Sequence, residues 1–253
     1  MSTEPRIVSL VPSITELLCD LGLSEQLVGR TGFCIHPWET VREIPKVGGT
    51  KDLKFDRIRE LEPTHVVVNV DENRKEDAEA LAEFIPNVVV THPLGPRDNL
   101  DLYRQMGREF DREAEAEALC ERFEAALARV DDRPERKVLY LIWRDPWMTV
   151  AAATYIAQTL ALFNWNNVEP VDLGRPEGDQ GLQVRYPEVD LADFAGVDRV
   201  LLSSEPFHFK EHHVEEVAKL VPGAEVSLID GEMTSWYGSR AIAGIDYLLE
   251  YTA

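Results

Sequence analysis

The chain has 253 residues, 44% of them hydrophobic and 28% charged, which suffices for a substantial core and excludes a disordered polypeptide. With 46 acidic against 26 basic residues its formal charge is −20, which disfavours nucleic acid and acidic membrane surfaces as partners. No apolar run reaches membrane-spanning length, so membrane insertion is excluded as well.

Residues 7–10 (Ile-Val-Ser-Leu) read as a buried strand, stopped by Pro12. Ser13 and Glu16 have the spacing of a capping box that opens a helix, with Ile14, Leu17, Leu18 and Leu21 on one face and Gly22 ending it. A strand that feeds a helix start leaves free backbone N–H groups at its carboxyl end, where open α/β sheets bind ligands. A short strand follows at residues 27–30, then a helix at 55–61. The Val-rich strands 65–69 and 87–91 flank a polar helix at 73–84. Short apolar runs separated by helices predict a parallel sheet covered on both faces.

From 98 to 130 the pattern predicts one long charge-rich helix without proline, carrying Leu102, Met106, Phe110, Leu119, Phe123 and Leu127. A second α/β block follows, with strands at 137–143, 199–204 and 225–229 and helices at 154–163, 212–221 and from Gly238. The expected fold is therefore α/β: two Rossmann-like lobes with parallel sheets joined by one long rigid helix. The lobes are residues 1–97 and 131–253, the linking helix 98–130, and the cleft between the lobes is expected to have nearly fixed width.

Candidate site residues cluster in loops at the predicted strand ends. In Gly29-Arg-Thr-Gly-Phe-Cys-Ile-His-Pro-Trp, Cys34 and His36 occupy alternate positions and read either as a ligand-contacting or soft-metal pair or as a surface turn. Two residues do not close a metal site, and no metal is assigned. Lys51, Asn73 and Arg74 follow in the same block. In the second block Trp147, Glu205, His208, Trp236 and Tyr237 lie in loops punctuated by Pro and Gly, where a core explanation for aromatics is weaker. His212, His213 and Glu216 read as a solvated helix face. The enzyme signatures GxSxG, HExxH, P-loop and GxGxxG are absent.

Ser9-Leu-Val-Pro-Ser-Ile-Thr-Glu, Val47-Gly-Gly-Thr-Lys-Asp-Leu-Lys-Phe-Asp-Arg-Ile, Leu61-Glu-Pro-Thr-His-Val-Val-Val and Pro146-Trp-Met-Thr together resemble the cobalamin, haem and siderophore substrate-binding proteins of ABC importers, the class III or helical-backbone metal receptors. The resemblance covers nearly the whole chain. It implies two α/β lobes joined by one helix, a ligand held between them, and a corrinoid, haem or metal chelate as that ligand. It also implies an ABC importer as partner if the protein is exported. Cys34 to Pro37 and Asp71 to Asp77 are similar to a cytosolic-seeming branch of the family, and the aromatic contacts of a cobalamin receptor near Thr50 are not in place. Neither Glu16 nor Glu205 is assigned the importer-docking role. The alternative is a cytosolic small-molecule enzyme using Cys34 and His36, with His208 or Glu232, in the same cleft.

No export signal precedes Arg6, so the expected location is the cytoplasm; removal of such a segment from a precursor would place the protein in the periplasm or at the cell surface. Cys19, Cys34 and Cys120 are odd in number and widely spaced, giving neither a disulfide framework nor a zinc knuckle. Cys19 and Cys120 read as small core residues.

Overall fold

The computed structural model describes residues 4–170 and 185–253. The chain gathers into two compact units, each built on a four-stranded parallel sheet. In the first, β1 (Ile7–Ser9), β2 (Leu27–Arg30), β3 (His65–Asn69) and β4 (Asn87–Thr91) lie in the order β2-β1-β3-β4. Ile7 pairs with Leu27 on one side and His65 on the other, and Val66 pairs with Val88. Val8, Leu10, Val66 and Val68 pack on Ile58, Leu81 and Ile85, while Ile7 and Val67, of opposite parity, are buried on the other face. Burial on both faces is what turns these strands into unbroken apolar runs.

The flanking helices are α1 (Pro12–Asp20), α2 (Trp38–Val41), α3 (Phe55–Glu60) and α4 (Lys75–Ala82). The Ser13–Glu16 capping box does not form. Val11 is the cap residue, without a side-chain bond, and Pro12 occupies the first turn, where its missing N–H costs nothing. Ser13 is buried, and Glu16 instead accepts two hydrogen bonds from Arg240, both 2.8 Å long.

The predicted helix over 98–130 is two helices, α5 (Asn99–Glu109) and α6 (Glu113–Leu127). Asp111 has φ +53°, a left-handed residue that ends α5 and turns the chain. Successive contacts then run in opposite directions along the two helices. Cys120 Sγ donates to the Leu100 carbonyl, the Tyr103 and Phe123 rings meet edge to face, Arg104 pairs with Glu117, and Gly107 abuts Ala116. The result is an antiparallel helical hairpin rather than a rod. The first unit comprises residues 1–93, 97–123 and 237–240, so α6 leaves it after Phe123, and most of the expected linking segment packs as part of this unit.

The second unit repeats the topology. β5 (Arg136–Leu141), β6 (Trp165–Asn167), β7 (Arg199–Ser203) and β8 (Glu225–Ile229) lie in the order β6-β5-β7-β8. Leu139, Leu141, Val200 and Leu202 pack on Leu191, Phe194, Val217 and Val221. Its helices are α7 (Tyr155–Ala161), α8 (Glu211–Leu220), α9 (Gly231–Ser235) and α10 (Arg240–Tyr251), of which α10 begins with Arg240 in the first unit. Edge strand β6 and helix α9 have no counterpart among the predicted elements. Among the described residues no helix is long and apolar enough to cross a membrane.

Candidate functional site

In both sheets the second strand lies on one side of the first and the third strand on the other, which puts a topological switch point between β1 and β3 and between β5 and β7. Connections leaving the carboxyl ends there diverge to opposite faces and open a crevice, the usual ligand position in open α/β sheets.

At the first switch point Asn73 is a brace. Its Oδ1 accepts from Asn69 N (2.8 Å) at the end of β3, while its Nδ2 donates to the Leu10 carbonyl after β1 (3.4 Å) and to the Thr50 carbonyl (3.0 Å). Asp71 lies 3.6 Å from His92, and the Tyr237 hydroxyl donates to Glu72. Burial and the Glu72 charge push the Tyr237 phenol well above its ordinary range. The loop after β2 is tied down by Gly32 N to the Gly48 carbonyl (2.8 Å) and by a hydrogen bond between Thr31 Oγ1 and Cys34 Sγ (3.1 Å). From this fixed loop Phe33, Ile35 and Trp38 project outward, Phe33 62% and Trp38 52% exposed.

At the second switch point Glu205 follows β7. Its Oε1 accepts from Ser235 Oγ and Trp236 Nε1, each at 2.8 Å, and burial raises its pKa, with Glu232 and Asp230 adding to the effect. Beneath it the Tyr140 hydroxyl hydrogen-bonds Ser203 and Thr234. After β5 the chain makes a tight turn in which Met148 N donates to the Trp143 carbonyl, leaving Trp143 40% exposed and edge-on to Phe207. Beyond β7 and β8 lies a depression of about 520 Å³ with an apolar floor of Leu202, Phe209 and Leu228 and a polar rim including Ser204, His208 and Tyr247.

The expected site residues therefore divide. Asn73, Glu205, Trp236 and Tyr237 sit at the carboxyl ends of the sheets, held by hydrogen bonds, and exposed His208 lines the depression. Lys51 and Arg74 are exposed, and His36 is half-buried. Cys34, expected at the ligand, is fully buried, its thiol also points at the Ser9 carbonyl (3.9 Å), and burial pushes its pKa up. Alternation does carry through the loop but with the other parity outward, Phe33 and Ile35 rather than Cys34. Trp147 is stacked on Phe209 (6.1 Å, 4°) and packs against the core of the second unit, so Trp143 is the outward ring of that turn.

The His212–His213–Glu216 face is not simply solvated. His213 is buried and accepts from Lys210 N (2.9 Å), and Glu216 takes a hydrogen bond from Arg144 (2.7 Å). Among the described residues no three His, Cys, Asp or Glu side chains are grouped to hold a metal ion. Phe33 and Trp38 were readable only as aromatics beside Gly32 and Pro37, and Trp143 only as an aromatic at a strand end; their exposure depends on tertiary packing.

The profile of the family described as "Periplasmic binding protein" matches residues 7–183. Among curated proteins the vitamin B12-binding protein of Vibrio vulnificus strain CMCP6 is 21% identical over 263 residues, covering 98% of this chain and 90% of that one. Among solved structures the apo periplasmic haem-binding protein RhuT from Roseiflexus sp. RS-1 superposes with a TM-score of 0.79 at 19% identity, covering 99% of this chain and 98% of that one. The periplasmic vitamin B12 binding protein BtuF of Vibrio cholerae gives 0.78 at 15% identity, covering 98% and 96%.

Proposed function

The chain belongs to the periplasmic binding protein family, and from that premise we propose that it is a receptor for a cobalamin- or haem-type macrocycle or a related metal chelate. The observation that carries this reading is the fixed loop after β2. It holds Phe33, Ile35 and Trp38 in water at the carboxyl end of a sheet, at a cost that contact with an apolar ligand face repays. Asn73 and Tyr237, of the same unit, supply placed polar groups of the kind that orient such a ligand. The Cys34 enzyme alternative is disfavoured, because a buried thiol with a raised pKa is a poor nucleophile.

Relatives named for vitamin B12 and haem support the ligand class, and an importer is the partner we propose with it. The structurally similar proteins are periplasmic, which lends no support to the cytosolic expectation, and we propose an extracytoplasmic setting. Fractionation of the native host tests the location. A panel of corrinoids, haem and ferric siderophores, followed by tryptophan fluorescence, tests the ligand: one member is expected to quench saturably, and silence from all of them would remove the receptor reading.

A further inference from the structure

Among the described residues Arg30 is the one charged side chain of large volume that is wholly buried, 1% exposed, and none of their carboxylates pairs with it. Its guanidinium is spent on backbone: Nε donates to the Val41 carbonyl (2.5 Å) and Nη1 to the Thr31 carbonyl (3.0 Å), while Nη2 has no partner among the described residues. Arginine stays charged in proteins, so the cost of desolvating that charge is carried by the fold. Stability alone gives no reason to keep it, since an apolar side chain of similar length fills the same volume without the charge.

The two carbonyls identify what the charge does. Thr31 opens the loop after β2, and Val41 is the last residue of α2, which returns that loop to the sheet. The backbone of Arg30 is itself locked between Pro45 and Val47, its N–H donating to the Pro45 carbonyl (3.0 Å) and its carbonyl accepting from Val47 N (2.8 Å). One side chain, fixed at its own root, therefore grips both ends of the segment that displays Phe33, Ile35 and Trp38. The cation also suits the carboxyl end of a helix, where the dipole is negative.

We propose that Arg30 is a positioning residue: it holds the loop over residues 31–41 in its binding geometry and so sets ligand affinity without touching the ligand. This rests on the receptor reading above, and the two fail separately. In a Cys19→Ser background, Cys34, the buried thiol of the loop itself, reports its closure through reaction with a disulfide reagent, while Cys120 stays buried in the α5–α6 hairpin.

Arg30→Met and Arg30→Lys are each expected to fold, Arg30→Met with an unchanged or higher Tm, to label at Cys34 at least tenfold faster than the parent, and to bind the ligand found in the panel at least tenfold more weakly. A purely structural residue would lower Tm and leave the affinity of the folded protein unchanged. Folded variants with parental labelling or parental affinity would overturn the proposal, as would failure of both variants to fold. If no panel member binds the parent protein, the receptor reading falls, and the labelling comparison still decides whether Arg30 closes the loop.

Discussion

At the scale of single residues, Glu205 gives the sharpest expectation. Burial raises its carboxyl pKa in the folded protein, so the folded state binds its proton more readily than the unfolded chain. The contribution of this group to stability is therefore fully present below the unfolded value and is lost as pH rises through the raised folded value. Glu205→Gln keeps an acceptor for Ser235 and Trp236 and removes the charge. Its Tm relative to the parent should improve from pH 4 to pH 7; a difference independent of pH would contradict this. Cys34 shows where residue-level reading stops. Alternation of side chains was visible in the sequence, but which parity faces water is fixed by packing against Ser9 and Thr31, contacts made across 25 residues in one case.

At the scale of elements, the helical hairpin is the main departure from expectation. Residues 98–130 contain no proline, and the turn is made by Asp111 in a left-handed conformation that a sequence without glycine there does not announce. Gly107 is what permits the fold-back: a Cβ on it would lie 2.7 Å from the Ala116 Cβ. Gly107→Ala is thus expected to lower Tm, although alanine is favoured in an isolated helix by about 1 kcal/mol. Adding Ala116→Gly should recover part of the loss, and a Gly107→Ala protein more stable than the parent would refute the close approach.

The Glu16–Arg240 pair ties the start of α10 to α1 with both side chains largely buried. Arg240→Met is expected to cost about 3 kcal/mol by chemical denaturation, since it strands a carboxylate, and Glu16→Gln in the same chain should recover some of it. A loss within error of zero would show the pair to be incidental. The Val-rich strand β3 was legible because both of its sheet faces are buried, and edge strand β4 carries the same valine run although Val90 is exposed; β6, three residues with two asparagines, carries no such signal.

At the scale of the whole molecule, the −20 charge and the site make separate demands. Self-repulsion is screened as the Debye length falls from about 10 Å at 0.1 M salt to about 3 Å at 1 M, so Tm should rise with sodium chloride, and a flat or falling profile would contradict this. The charge says nothing about the ligand; the repeated strand order, with a switch point in each unit, and the apolar loop after β2 do. The most direct measurement is calorimetric titration of the best panel ligand into the parent protein, Phe33→Ser/Trp38→Ser and Trp147→Phe. Saturable binding to the parent, at least tenfold weaker binding to the loop variant and near-parental binding to Trp147→Phe is the predicted result. Equal affinity for the parent and the loop variant would contradict the central claim.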